Sequence, residues 1–386
     1  MINQDNIKKA ILEENLSGWL FFNFRHRDII ADRILGINKS FINSRGWFYI
    51  VFPDRENIKI THSVEPEALS HLPGKQLYYT SREELKQHLL AFSGMEFATQ
   101  KDKNLTQISY LDSGTSDLLA GCGITLASSA ALLSRTIGIL DRNQIESHES
   151  CASLLYAIVR ESWEYVCHKT AKGEALTEKM VQSFILDNFR KLKITTEHPP
   201  LVAFGSHTAD PHYETGTIET FLEKNSLVQF DIWGKTEENI YADISWVGFS
   251  GKTLPPGYEK AFNAVVMARD NVVSFIRAKL ASGTTVTGYE ADDCARYFFA
   301  EMGLSSGIRH RTGHSIDSEL HGCGTNLDSI EFPDHRPLYN GACFSIEPGL
   351  YFRDFGVRSE INSYILDNTL VVSGGIPQST ILMIHK

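Results

Sequence analysis

Four carboxylates and one imidazole in the C-terminal half of this chain are typical of a metal-binding set. Asp231, Asp243, His314, Glu347 and Glu360 each lie in a segment with the pattern of a strand or a strand end. Buried carboxylates must be paired or bound to metal, so four that converge need a cation. Two divalent ions would balance four negative charges, and a hydroxide bridging them would supply a nucleophile. The set predicts a dinuclear metal-dependent hydrolase.

The donor types narrow the choice of metal. Carboxylate oxygens with one imidazole suit first-row transition metals better than calcium, which prefers oxygen alone. We expect two divalent ions per chain, manganese before cobalt, zinc or iron. Any one of these acids taken alone is more often a turn residue or a surface charge. Their joint occurrence at strand positions is what favours the metal site.

Four β-like runs carry the acids. Residues 227–233 and 241–247 are joined by a polar link, 234–240, of the length of a hairpin loop. Residues 343–349 and 356–362 form a second pair, joined by a short turn. His314 follows Gly313, which lets the backbone approach a neighbour closely. Antiparallel neighbours can bring acids of paired strands to one cation.

The composition excludes several classes of protein. The chain has 386 residues, 42% of them hydrophobic, and a formal charge of -10 with no basic run, which speaks against a nucleic-acid partner. Its 6 cysteines are scattered without a CxxC pair and are typical of reduced thiols in a cytoplasmic protein. No apolar stretch reaches the length of a membrane span. We expect a soluble cytoplasmic protein that does not bind membranes.

The pattern of elements predicts two domains. Residues 1–143 alternate strand-like and helical segments, which favours an α/β domain with a mixed or parallel sheet. Ser81 and Glu84 form a capping-box signature there, and 108–111 is strand-like. The polar stretch Asp141–Gln144 marks the boundary. Residues 144–386 combine long helical patterns with punctuated strands, which predicts an α+β domain with helices over one face of a curved antiparallel sheet.

Several motifs from about residue 145 onward resemble the pita-bread metallopeptidases, in particular their Xaa-Pro dipeptidase (prolidase) and aminopeptidase P branch. The N-terminal domain resembles, in size and element pattern, the one that precedes the catalytic domain in creatinase and the prolidases. The motifs occur in family order. They are His212 in DPHY, Asp231, Asp243, the HRTGH block from His310 to His314, His321, Glu347 in IEPGLY and Glu360 in VRSE.

The resemblance implies a role for each ligand. Asp231 would chelate one metal, Asp243 and Glu360 would bridge both, and His314 and Glu347 would complete the second. Glu347 would also shuttle the proton in hydrolysis of the Xaa-Pro bond of dipeptides or short peptides. A homodimer is implied as well.

The resemblance also implies roles around the metals. His212 and His321 would bind the substrate carbonyl and stabilise the oxyanion and the leaving nitrogen, since developing negative charge needs fixed donors. His310 and Arg358 would lie near the substrate end, where the forked guanidinium suits a terminal carboxylate. Tyr351 would line the same pocket.

The chain also departs from the family pattern. The gap between Asp231 and Asp243 is one residue longer than usual, so we expect a bulge in the hairpin. Trp233 and Trp246 replace residues that are more often Gly and Arg, and we expect both as apolar pocket walls. Ile361 stands where an acid is common. Substrate choice therefore stays open.

Three other functions remain open at this point. A creatinase-like hydrolase of the same fold works without metal, but it should lack several of the five ligands. A catalytically silent pita-bread binding module should likewise have lost ligands. A methionine aminopeptidase does not usually carry an N-terminal domain of this size.

Overall fold

The computed structural model describes residues 4–237 and 240–384. The chain divides into two compact units, the first ending at Ile137 and the second beginning at Gly138. The polar stretch that predicted the boundary forms a helix start: Asp141 accepts from the amide of Gln144, and the Gln144 side chain accepts from the amide of Asp141, as a capping box. The assignment of residues 1–143 and 144–386 to two domains stays a prediction.

The first unit is a six-stranded mixed sheet with helices between its strands. The strands are β1 (Gly18–Asn23), β2 (Trp47–Val51), β3 (Ile58–His62), β4 (Lys75–Tyr79), β5 (Glu96–Thr99) and β6 (Thr125–Ser128), in the order β4-β3-β2-β1-β5-β6. The helices are α1 (Gln4–Glu13), α2 (Ile29–Leu35), α3 (Arg82–Leu90), α4 (Ser113–Gly121) and α5 (Ala130–Thr136). The predicted capping box of Ser81 and Glu84 begins α3.

One predicted strand of this unit is wrong. Residues Thr106–Ile108 form a 3₁₀ turn, and the amides of Tyr110 and Leu111 both donate to the carbonyl of Gln100, at 2.8 Å. Two amides that share one acceptor cannot continue a ladder. The parallel strands that close this side of the sheet are instead β5 and β6, each only four residues long, so their alternation gave little signal.

The second unit places two helix pairs against antiparallel strands. Its helices are α6 (Arg142–Ala171), α7 (Glu178–Leu192), α8 (Pro256–Ala281) and α9 (Gly288–Glu301). Its strands are β7 (Leu201–Phe204), β8 (Leu227–Lys235), β9 (Tyr241–Phe249), β10 (Cys343–Ile346), β11 (Gly349–Tyr351), β12 (Gly356–Arg358), β13 (Ile361–Leu366), β14 (Thr369–Val372) and β15 (Leu382–Met383). The sheets have the orders β15-β9-β8-β7, β10-β13-β14 and β11-β12, and only β15 runs parallel to its neighbour. Among the described residues, no helix combines the length and apolar character of a membrane span.

The β8–β9 hairpin has one face that carries polar side chains and one face that is apolar. Its ladder runs without interruption from Leu227–Phe249 to Lys235–Tyr241, so the ladder contains no bulge, and residues 238 and 239 of the predicted loop lie outside the described residues. Trp246 is paired with Phe230 and meets Tyr156 of α6 edge-on, with ring centroids 5.7 Å apart. It lies in the core under α6, on the opposite face from Asp231 and Asp243, so its prediction as a pocket wall is wrong.

Candidate metal centre

Asp231 and Asp243 lie on one face of the hairpin. In the ladder, Asp231 is opposite Ser245 and Asp243 is opposite Trp233, so the two acids are diagonal neighbours across β8 and β9. The Ser245 hydroxyl donates to Oδ1 of Asp231. The side-chain period of two therefore directs both carboxylates to the same place.

Glu347 and Glu360 lie where the β10–β13 ladder gives way to the β11–β12 ladder, one on each side of the hairpin. The β10–β13 ladder ends at the pair Ile346–Ile361, and the β11–β12 ladder begins at Gly349–Arg358. At the interruption the amide of Glu347 donates to the carbonyl of Thr312 at 2.7 Å, and that of Glu360 to the carbonyl of Ser245 at 3.1 Å. These bonds hold Glu347 against the segment before His314 and Glu360 against β9.

His314 is fixed by a close backbone contact. A Cβ atom on Gly313 would lie 2.0 Å from the carbonyl oxygen of Ser345, so only glycine fits, as expected from the sequence. The Ser345 hydroxyl accepts from the amide of His314 at 2.9 Å. The ring Nδ1–H donates to the Ser315 carbonyl at 3.2 Å, which leaves the Nε2 lone pair facing the acids.

Asp243, His314 and Glu360 form a buried cluster in which one ligand atom from each residue lies within 4.8 Å of the other two. Nε2 of His314 is 3.6 Å from Oδ2 of Asp243 and 3.5 Å from Oε1 of Glu347. Oδ1 of Asp243 and Oε1 of Glu360 are buried without a hydrogen-bond partner among the described residues. Orphaned carboxylate oxygens beside an imidazole lone pair are the donor set that a divalent cation satisfies.

The electrostatics of the cluster agree with its geometry. Burial, followed by repulsion from Asp231 and Glu347, raises the pKa of Asp243 well above its usual range. Burial and the neighbouring acids do the same to the pKa of Glu360, and burial raises that of Glu347 to about 7. Burial and the nearby His321 hold the pKa of His314 well below its usual value. These carboxylates repel one another, and a cation among them would relieve that repulsion.

Asp231 has a partner of its own. Nη2 of Arg358 donates to its Oδ2 at 2.5 Å, and Nε of Arg358 donates to the Ser245 hydroxyl at 2.9 Å. The buried guanidinium also donates from Nη1 to the Tyr351 hydroxyl at 2.8 Å and to the Pro211 carbonyl at 3.4 Å. Arg358 thus joins a candidate ligand to the buried Tyr351, and the second N–H of Nη2 has no acceptor among the described residues.

His310, Tyr351 and Arg358 form a directed hydrogen-bond chain. His310 Nδ1–H donates to the carbonyl of Arg311 at 2.7 Å, so its Nε2 accepts from the Tyr351 hydroxyl at 2.9 Å. Burial, with the charge of Arg358, lowers the pKa of His310 to about 3. Burial raises the pKa of Tyr351 to about 12, against the opposing effect of Arg358. His310 is therefore a neutral acceptor.

His212 and His321 are both exposed residues. The ring centroid of His321 lies 4.2 Å from that of His314. Desolvation by the surrounding protein, followed by the charges of Arg311 and His212, lowers the pKa of His321 to about 4. His212 is exposed, and its charge also contributes to the lowered pKa of His310.

Three polar residues support the candidate ligands and were missed in the sequence. They are Ser245, which donates to Asp231; Ser345, which donates to Oε1 of Glu347 at 3.2 Å; and Asn362, whose Oδ1 accepts from the amide of Asp243 at 2.7 Å. Each lies two positions from a candidate ligand in the sequence. Residues two apart on a strand point to the same face, so this spacing is the signal that could have indicated them.

Comparisons with known proteins show the family to which this chain belongs. Residues 146–372 match metallopeptidase family M24, and the chain belongs to that family. A Xaa-Pro dipeptidase of Lactobacillus delbrueckii subsp. lactis is 31% identical over 196 residues, 49% of each chain. The chain thus spans about half the length of the curated relatives that it matches.

Solved structures extend the similarity to the whole chain at the level of fold. Dipeptidase PepE from Mycobacterium ulcerans aligns with a TM-score of 0.74 at 18% identity, covering 99% of this chain and 96% of that one. The N-terminal domain of FACT complex subunit SPT16 from chickpea, Cicer arietinum, aligns with a TM-score of 0.68 at 11% identity, covering 99% of each. A dipeptidase and a FACT subunit domain therefore share this fold, so the fold alone does not indicate the function, which must be inferred from the site residues.

Proposed function

We propose that this protein is a metal-dependent peptidase that hydrolyses the Xaa-Pro bond of dipeptides or short peptides. The observation that carries the proposal is the buried cluster of Asp243, His314 and Glu360, with two carboxylate oxygens lacking partners in the described part of the chain. Membership of family M24 and similarity to a Xaa-Pro dipeptidase support it.

Five residues would hold two divalent ions, manganese first among the candidates. Asp231 would bind one ion, Asp243 and Glu360 would lie between both, and His314 with Glu347 would bind the other. Bound in pairs, such ions acidify a water molecule and polarise a carbonyl. Two features support this assignment. The acids repel one another, which a cation would relieve, and His314 directs a lone pair toward them.

Glu347 would move the proton. Its Oε1 lies 3.5 Å from Nε2 of His314, so the carboxylate borders the candidate metal cluster and could accept the proton of a metal-activated water. Ser345 donates to one of its oxygens and leaves the other for the proton of the attacking water. The same oxygen would then deliver that proton to the leaving nitrogen, which in a Xaa-Pro bond is a secondary amine.

His321 and His212 would stabilise the charge that develops on the substrate. With a pKa of about 4, His321 is a neutral imidazole at neutral pH, and its N–H can donate to an oxyanion. Its ring packs at a tilt of 56° against that of His314, which keeps it next to the candidate metal cluster. His212, whose charge acts on His321, would donate alongside it.

His310, Tyr351 and Arg358 would line the end of the substrate. The proline nitrogen offers no N–H, so selectivity must come from the shape of the pocket and from groups that fix the substrate ends. The available N–H of Arg358 would face a terminal carboxylate. Trp233, which is opposite Asp243 in the ladder, would be an apolar wall.

The same features weigh against the other functions. A metal-independent hydrolase or a silent binding module has no use for buried carboxylates that repel one another, because each destabilises the fold. All five candidate ligands are present in this chain. Homodimerisation and a cytoplasmic location stay predictions.

Metal analysis combined with a peptide series tests the proposal. The purified chain should contain two divalent ions at saturation, lose activity on chelation and recover it with Mn²⁺. Its kcat/KM should be higher for Ala-Pro or Ala-Pro-Ala than for Ala-Ala. Chelator-insensitive hydrolysis would overturn the metal mechanism. Cleavage of Ala-Ala at least as fast as both proline peptides would remove the proline selectivity and leave a general metallopeptidase.

A further inference from the structure

A fully buried carboxylate on α9 lies behind the segment that carries two site histidines. Asp292 has no exposed surface, and its two oxygens accept five hydrogen bonds. Oδ1 accepts from the amide and the hydroxyl of Thr312, at 2.9 and 2.5 Å. Oδ2 accepts from the amide and hydroxyl of Ser329, at 2.8 and 2.6 Å, and from Nε of Arg296 at 2.5 Å.

Thr312 connects Asp292 to the site. It lies between His310 and His314 in the chain, and its carbonyl accepts from the amide of Glu347 at 2.7 Å. Arg296, one turn after Asp292 on α9, donates from Nη2 to the carbonyl of His310 at 3.2 Å. The helix therefore holds the segment 310–314 at two points, and that segment holds Glu347.

We propose that Asp292 is a positioning residue that sets the separation of His314 and Glu347 by fixing Thr312. The inference rests on the proposed metal site, since it concerns how two of its candidate ligands are aligned. Asp292 acts through Thr312 and contacts neither of these ligands in the described structure.

The placement of α9 does not depend on this carboxylate. Ala291, Ala295 and Phe299 are buried in the apolar cluster that joins α8, α9 and the strands. A capping box of Thr287 and Glu290 begins the helix. Loss of one hydrogen bond to Asp292 should therefore leave the helix in place and release only the segment that it holds.

Paired substitutions in the full chain separate positioning from folding. Thr312→Val keeps the shape of the side chain but removes its hydroxyl, and Thr312→Ser restores the hydroxyl. Asp292→Asn replaces an acceptor with a donor that faces amide hydrogens, and Asp293→Asn makes the same change on the exposed neighbour. The measurements are Mn²⁺ affinity by calorimetry on the metal-stripped protein, kcat and KM for Ala-Pro, and the melting temperature.

Thr312→Val and Asp292→Asn should weaken Mn²⁺ affinity by roughly 10–100-fold, as for other groups that orient metal ligands. They should lower kcat with little change in KM, while Thr312→Ser and Asp293→Asn behave as wild type. Wild-type affinity and kcat in both Thr312→Val and a folded Asp292→Asn would overturn this inference alone. Failure of the wild-type chain to bind Mn²⁺ would overturn the proposed function and this inference together.

Discussion

Nε2 of His314 lies 3.5 Å from Oε1 of Glu347, with a lone pair rather than a proton between them. The Nδ1–H of His314 donates to the carbonyl of Ser315, and burial keeps the ring neutral by lowering its pKa. A lone pair that faces a carboxylate is repulsive, so this pair is arranged to share a cation and not to form a hydrogen bond.

Replacement of Glu347 with glutamine should lower kcat by several orders of magnitude. Glutamine keeps the size of the side chain but removes both a metal ligand and the proton acceptor. The measurement is kcat for Ala-Pro at saturating Mn²⁺, with Mn²⁺ affinity determined in parallel. Glu301→Gln, an exposed glutamate at the end of α9, is the matched control. Near wild-type turnover in Glu347→Gln would rule out the proposed proton transfer.

Replacement of His321 with alanine should lower kcat by about 10²–10³-fold, the usual effect of losing one oxyanion donor. His321 is exposed and its ring packs at a tilt against that of His314, so its removal should leave the fold intact. His335→Ala, an exposed histidine that stacks on Tyr289, controls for loss of an exposed imidazole that packs on another ring. If both variants had the kcat of wild type, His321 would have no part in the reaction.

The candidate ligands could be predicted from the sequence because their signal is local. A carboxylate in an apolar strand is unusual whatever surrounds it, and the alternation of β8 and β9 fixes which side chains share a face. Trp246 was assigned to the wrong face because a tryptophan fits either face of a strand between two layers. Its partner Tyr156 lies on α6, far away in the chain.

The supporting contacts could not be predicted, because they join residues that are distant in sequence. Arg358 meets Asp231 across 127 positions, and Asn362 meets Asp243 across 119. Serines on strands are common, so nothing in the sequence singled out Ser245. The sequence does not indicate Asp292 either. An acid on a helix is usually on the solvated face, and only the tertiary fold buries this one.

The metal-stripped protein should lose stability as the pH rises, relative to Glu347→Gln. The pKa of Glu347 is raised by burial from 4.5 to about 7 in the folded chain, so between these values the folded state binds more protons than the unfolded state. The contribution is fully present below pH 4.5 and is lost as the pH rises to about 7. It amounts to roughly 3 kcal/mol.

Urea unfolding of both proteins between pH 5 and about 8 measures this difference, because titrating groups remote from Glu347 cancel in the comparison. The stability of the wild type relative to Glu347→Gln should fall across the range, and saturating Mn²⁺ should abolish the fall. A difference that is independent of pH would show that Glu347 does not titrate in this range.

Replacement of Arg358 with alanine should affect both metal and substrate. Its guanidinium holds Asp231, so the variant should bind Mn²⁺ at least about 10-fold more weakly. If its remaining N–H holds a terminal carboxylate, KM at saturating Mn²⁺ should rise far more for Ala-Pro than for Ala-Pro-Ala. Tyr351→Phe removes the hydroxyl between Arg358 and His310 but leaves the bond to Asp231, so it should change KM with little effect on metal affinity. Equal KM changes for the two peptides in Arg358→Ala would mean that Arg358 supports only Asp231.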